Sequence, residues 1–523
     1  MLHIQNPCRR CIKDAHGSLR FRLAHRFVPS MVACLLLPFS AATAAPATPD
    51  ADNTVHAAIR ADIDAEIAAG RLTGVSLALV RQGKIVWEEG FGWADREAGR
   101  KATSHTPFSL ASTTKPFTTT ALMTLVQAGR LDLDRPANDY LGPDKIVDVR
   151  GPAQAATLRR LASHSSGLPT FFAMYPEGGS ARQPSIAELI RDYGHLVAPV
   201  GERYEYSNLA LGILADIVAR QSRQEYGRYL QAHVFTPLAM KDSFFDTDLS
   251  RRQDMAVRYG DTGKPLPFYL TATPGSGEVY ASAHDMARFA MLHLKDDLGA
   301  QAKILTDAQF DELHRPQTQI ALRFAYALGW QVWQPPGETD VLYHGGGQSG
   351  VATEFVLVPA ADVAVVVLSN RRGDRAFFES LRDRLLHSVI PDWHGIPAQA
   401  DAPLQPLAPS AAYAGTWRGT LLAQGRRVPA TLAITPQGQG KFSLRSDAAQ
   451  AITDLGLVDG LISGDVKGQV GSVDTLREGV DRLSLNLKLR GQRIDGEVIA
   501  WRKASDNMTV LPYWILLEKE PAR

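Results

Sequence analysis

Three short runs in this chain hold residue types that together can open a carbonyl group. Ser112-Thr-Thr-Lys115 comes first. A serine hydroxyl is a weak nucleophile, and a neutral amine or phenolate within hydrogen-bond reach can take its proton. Phe117, Ala121, Leu122, Leu125 and Val126 follow at helical spacing, with Gly129 as a stop. Pro116 fits that helix only in its first turn, where its missing N–H loses no partner. Ser112 therefore falls at a helix start, in a field that favours developing negative charge. Lys115 lies one turn on, on the same face. Alone, these residues also read as a helix cap followed by a solvated lysine.

The second run is Tyr206-Ser-Asn208, ahead of Leu209, Ile213 and Ile217 at four-residue spacing. A tyrosine beside a lysine can serve as a general base. An asparagine can hold that lysine or donate to a substrate amide. The plainer reading is a buried tyrosine with Asn208 as a cap. The third run is His344-Gly345-Gly346-Gly347. Glycines at a strand edge let a substrate backbone come close, and the Gly347 N–H can join that of Ser112 as an oxyanion hole. A loose glycine loop with an incidental histidine is the alternative.

The elements that must position these runs are legible in outline. Val55 to Gly70 has the spacing of a helix, with Ile59, Ile63 and Ile67 four apart. Val75–Val80 and Lys84–Trp87 flank a Gln82-Gly83 turn and predict a hairpin. A second hairpin is expected from Thr353–Val358 and the unbroken apolar run Val363–Leu368. Between them lie helical segments such as Leu209–Arg220 and His284–Lys295. The pattern predicts an α/β domain over residues 45–390, an antiparallel sheet flanked by helices with a helical subdomain. Residues 391–410 are rich in proline and without periodicity, as in a linker. From 411 to 523 the texture changes. Leu483, Leu485, Leu487 and Leu489 alternate with polar residues, and Thr431–Thr435 and Phe442–Arg445 are shorter runs of that kind. A small all-β C-terminal barrel or sandwich is expected there.

Residues 1–44 read as a signal peptide. Six basic residues and one acid precede an apolar stretch from Phe27 to Phe39, and Ala42-Thr43-Ala44 has the small residues of a cleavage site. That stretch is too short for a stable membrane span. The expectation is export, with the protein periplasmic or secreted after cleavage near Ala44. All three cysteines, Cys8, Cys11 and Cys34, precede that point, so disulfides, thiol catalysis and cysteine-bound zinc would leave with it. Of 56 basic and 55 acidic residues, 50 and 54 would remain, a formal net charge of −4. Such a balance disfavours a nucleic-acid partner. No His-Glu-x-x-His spacing occurs, and no metal or other cofactor is expected.

In their order, the three runs resemble those of the serine β-lactamase and penicillin-binding-protein superfamily, nearest its class C-like branch. Leu158–Pro169, Phe235–Met240 and Ser282–Phe289 resemble further segments of that branch, and the likeness covers roughly residues 55–390. It implies an acyl-enzyme on Ser112 and proton transfer shared by Lys115 and Tyr206, with the base in acylation left open. It also implies orientation of lysine and substrate amide by Asn208, an oxyanion hole from Ser112 and Gly347, and substrate contact from His344, Gly345 and Gly346. His344 stands where β-lactamases usually have lysine. A mostly neutral imidazole suits a β-lactam carboxylate less well than a fixed cation. Histidine here resembles the D-aminopeptidase and esterase-like relatives. The expected substrates are therefore a peptide amide, a D-amino-acid peptide or a small ester, with a β-lactamase or a non-catalytic penicillin- or peptidoglycan-binding protein as alternatives. Tyr413–Trp417 looks like the opening strand of the small barrel domains that follow some of these hydrolases.

Overall fold

The computed structural model describes residues 49–296, 301–399, 402–407, 412–503 and 508–521. The expected signal peptide and its cleavage point lie outside them. Among the described residues no helix is long and apolar enough to cross a membrane.

Helix α1 (Pro49–Ala68) leads into strand β1 (Gly74–Arg81), which turns at Gln82-Gly83 into β2 (Lys84–Asp95). Both Gln82 and Gly83 have positive φ, the conformation a tight two-residue hairpin requires. Far along the chain come β3 (Val341–Gln348), β4 (Val351–Val358) and β5 (Val363–Ser369). β1 pairs antiparallel with β5, Val75 opposite Ser369 and Arg81 opposite Val363. The first hairpin and the last thus meet in the middle of one nine-stranded sheet.

The apolar run of β5 is buried on both faces. Val363, Val365 and Val367 pack with Ile59 and Ile63 of α1 and with Phe378, Leu381 and Leu385 of a helix at Arg375–His387. Ala364, Val366 and Leu368 turn to the other face. There the sheet meets α4 (Ala283–Leu294), with α2 (Lys115–Gln127) packed beside α4 and α3 (Asn208–Ser222) packed on α2. Phe117 of α2 stacks on Phe289 of α4, with ring centres 3.9 Å apart. Such a core explains why an uninterrupted apolar strand is tolerated: neither face is wet.

The C-terminal residues form a second antiparallel sheet that curls round. Gln450–Ala451 pairs with Gly440–Leu444, while Thr453–Val458 pairs with Leu461–Lys467. One stretch, 450–458, therefore bridges both ends of the sheet, which makes it barrel-like rather than a sandwich. Leu483, Leu485 and Leu487 are buried inside it. The described parts of the proline-rich segment before it lie against the rest of the protein. Ile396 is buried, Gln399 Nε2 donates to Tyr343 Oη at 2.9 Å, and Gln405–Pro406 pairs with Gly456–Leu457.

Candidate active site

Ser112 sits where the strand Phe108–Ser109 gives way to a short 3₁₀ turn, Ala111–Thr114, that runs straight into α2. Ala111 has φ +47°, a left-handed conformation a non-glycine residue adopts only when its surroundings hold it there. Pro116 occupies the first turn of α2. One contact with β3 and one with β4 hold the turn. Thr113 Oγ1 donates to the His344 carbonyl at 3.2 Å and shares a 2.8 Å hydrogen bond with Thr353 Oγ1 of β4. Gly346 is pressed so closely against this turn that a Cβ there would lie 2.2 Å from the Leu110 carbonyl oxygen.

The Ser112 hydroxyl accepts two hydrogen bonds, from Lys115 Nζ at 3.1 Å and from Tyr206 Oη at 2.9 Å. Lys115 is fully buried and also donates to the Ser276 carbonyl at 2.9 Å. Burial drives its amine from 10.5 down to about 7, against the opposing pull of the Glu278 carboxylate. Burial therefore makes the free base accessible near neutral pH. Tyr206 moves the other way: burial raises its phenol well above the ordinary value, only partly offset by its bond to Ser112. The lysine is the better proton acceptor and the tyrosine a proton donor.

Tyr206 is held by His164. The Ser207 N–H donates to His164 Nδ1 at 3.1 Å, and the Glu205 N–H donates to the His164 carbonyl at 2.7 Å. Buried, and with Lys115 nearby, His164 stays well below its usual basicity and hence neutral. The cap of α3 is Ser207, whose hydroxyl accepts from the Ala210 N–H. Asn208 is the first residue of α3 and lines the cleft.

Ala111, Ser112, Phe172, Tyr206, Asn208, Thr271, Ser276, Gly277, Gly347 and Gln348 line a narrow cleft of about 20 Å³, the room of one water molecule. The structure thus gathers Ser112, Lys115, Tyr206, Asn208 and Gly347. His344 is placed differently from the other five. Its ring is buried, with Nε2 2.9 Å from Tyr326 Oη and Nδ1 2.8 Å from the Gly345 carbonyl. Burial, and then the nearby lysine, push it down to about 3, so it is neutral. Gly345 and Gly346 carry β3 past the nucleophile turn, and the cleft wall beside Gly347 is Gln348, whose Nε2 donates to Ser109 Oγ at 3.0 Å.

Sequence reasoning missed Ser276, Glu278, Phe172 and Gln348. Glu278 is buried, accepts from Thr271 Oγ1 and from the Gly277 N–H, and is itself made less acidic by burial. His164 lay within a segment already singled out, but nothing local marked it as the support of Tyr206. Phe172 exchanges two backbone hydrogen bonds with Val510 of the C-terminal sheet, at 3.0 and 2.8 Å. That sheet therefore reaches the rim of the cleft.

A nucleophile turn at a helix start, backed by a buried lysine and a tyrosine and set against an antiparallel sheet, defines the serine hydrolases of the β-lactamase and penicillin-binding-protein superfamily. Residues 59–389 match the Beta-lactamase family, and the chain belongs to it. It is 25% identical over 320 residues to Protein flp of Staphylococcus aureus (strain MW2), covering 60% of this chain and 62% of that protein's length. Among solved structures, a class C β-lactamase superposes with TM-score 0.55 at 18% identity, covering 66% of this chain and 98% of that one. SurE with D-Leu superposes with TM-score 0.61 at 20% identity, covering 89% and 100%. The latter likeness takes in the C-terminal sheet as well.

Proposed function

We propose that this chain is an exported hydrolase that forms an acyl-enzyme on Ser112 with a peptide amide, a D-amino-acid peptide or a small ester. The observation that carries the reading is the Ser112 hydroxyl between Lys115 Nζ at 3.1 Å and Tyr206 Oη at 2.9 Å, with the lysine amine near 7. The neutral lysine takes the serine proton as Oγ attacks the carbonyl carbon. The N–H groups of Ser112 and Gly347 receive the oxyanion. Tyr206, a donor to Oγ, passes a proton to the leaving amine or alkoxide and regains one through Lys115. Water then attacks the ester carbonyl by the same route in reverse.

Substrate preference follows from charge. None of the residues lining the cleft carries a fixed positive charge, and the His344 imidazole is neutral and turned away toward Tyr326. A β-lactam carboxylate would find no cation there to offset its desolvation. A neutral ester or amide avoids that penalty. The likeness to SurE with D-Leu supports a D-configured residue.

The test compares the parent with Ser112→Ala on p-nitrophenyl acetate, a D-alanyl anilide and a chromogenic cephalosporin, with intact mass read after each. Turnover of ester or anilide that vanishes in the variant is expected, with an acyl adduct on the parent alone. Cephalosporin turnover matching that of the ester would make the chain a β-lactamase. A stable cephalosporin adduct without turnover of any substrate would make it a penicillin-binding protein.

A further inference from the structure

Four segments distant in sequence bring two histidines and two carboxylates together on the α4 face of the sheet, beside β2 and apart from the residues that line the cleft. Glu88 comes from β2, His105 from the loop before Phe108, Asp242 from the loop before Phe244, and His284 from the first turn of α4. His105 Nδ1 lies 2.8 Å from Asp242 Oδ2, and His284 Nδ1 lies 2.9 Å from Glu88 Oε2. The two rings face each other at 4.6 Å, tilted by 33°. One ligand atom each from Glu88, His105 and His284 lies within 4.8 Å of the others.

The frame around these side chains is fixed. The His284 N–H donates to the Ser104 carbonyl at 3.1 Å, which stitches the loop to the start of α4. Asp242 accepts from Ser282 Oγ at 3.0 Å, and its own N–H donates to Asp285 Oδ2 at 2.7 Å. The His105 side chain is 56% exposed, so its ring has room to turn toward an ion.

We propose that Glu88, His105 and His284 form a binding site for one divalent transition-metal ion of the zinc class, with Asp242 orienting His105. Two imidazole nitrogens and one carboxylate oxygen match the donors such an ion prefers, and the fourth position is left to water. Calcium and magnesium prefer oxygen donors alone. An Asp242 carboxylate on Nδ1–H fixes the tautomer that leaves Nε2 for the metal, the usual arrangement around metal-bound histidine. Closing round an ion would bring the donor atoms to about 3.3 Å from one another, as tetrahedral bonds of ~2.0–2.1 Å require. Small rotations of partly exposed side chains achieve this. The ion would tie β2 and α4 to the loop that leads, through Phe108–Ser109, to Ser112.

Equilibrium dialysis of the full chain against buffered zinc tests the proposal. The comparison is with the double variant His105→Gln, His284→Gln and with Asp242→Asn. The parent is expected to hold about one more zinc ion than the double variant and to melt higher with zinc than without. The double variant should melt like the zinc-free parent and gain nothing from zinc. Asp242→Asn should weaken binding by about 10–100-fold, and magnesium should shift neither protein. Cobalt should give the parent alone the absorption bands of a four-coordinate site. Equal zinc content in parent and double variant, or no cobalt bands in the parent, would overturn the proposal.

Discussion

Lys115 and Tyr206 touch the same oxygen, and burial drives their basicities apart. A buried ammonium is disfavoured, so the amine falls to about 7; a buried phenolate is disfavoured too, so the phenol rises. If the neutral lysine is the base, kcat/KM for a neutral ester rises with pH through about 7 and then levels. The rise marks loss of the lysine proton. Tyr206→Phe should lower the plateau by about 10²–10⁴-fold, the range of a lost acid–base group, while leaving that limb in place. Glu278 opposes the fall in the Lys115 value, so Glu278→Gln should move the limb to lower pH. A limb that disappears in Tyr206→Phe and ignores Glu278→Gln would transfer the base role to the tyrosine.

At the scale of elements, the site depends on how tightly the nucleophile turn is pressed onto β3. The left-handed Ala111 and the bonds from Thr113 and Thr353 set that contact, and Gly346 makes it possible. A methyl group at 346 would meet the Leu110 carbonyl at 2.2 Å and Thr353 Oγ1 at 2.3 Å, and neither neighbour can swing aside freely. Gly346→Ala should therefore destabilise the fold by about 1–3 kcal/mol, as overpacking does. It should also slow acylation by more than that loss explains, since a small misplacement of a nucleophile is expensive. Urea melts and single-turnover acylation separate the two effects. Gly345→Ala is a useful comparison, because sequence alone does not distinguish the glycines of this run.

Across the whole molecule, the C-terminal sheet is joined to the catalytic region by charge as well as by the Phe172–Val510 bridge. Arg490 pairs with Glu202 at 2.7 Å, and Tyr193 Oη donates to Asp474. Arg203 pairs with Glu205 at 2.8 Å and lies close to Glu497 of the C-terminal sheet. Glu497 is buried, and burial, followed by repulsion from Glu205, raises it to about 8. Between 4.5 and about 8 the folded chain holds a proton there that the unfolded chain has lost, so this group's contribution to stability falls as pH rises through that window. Glu497→Gln keeps an acceptor for Asn486 Nδ2, at 3.1 Å in the parent. It should leave Tm near the parent's at pH 5 and raise it at pH 9. A difference that does not change with pH would mean that Glu497 does not titrate in this window.

What the sequence determined by itself was local or periodic. Serine and lysine three apart fall on one helical face because the helix repeat puts them there, and Pro116 set where that helix begins. The unbroken β5 run and the alternating leucines near 485 marked a sheet buried on both faces and one buried on a single face. That the first hairpin and the last belong to one sheet was legible, because sheet segments stood at both ends of a helical middle; that they pair directly was not. Tertiary structure decided what depends on packing between segments far apart. It set Ser276 against Lys115 and His164 behind Tyr206, turned the His344 ring toward Tyr326, and brought Phe172 to Val510. It also assembled Glu88, His105, Asp242 and His284, whose spacing in the chain follows no motif. A helix or strand repeats its geometry every few residues, so short spacings carry the information. A contact across a hundred residues or more depends on how whole elements pack, and no spacing along the chain records that.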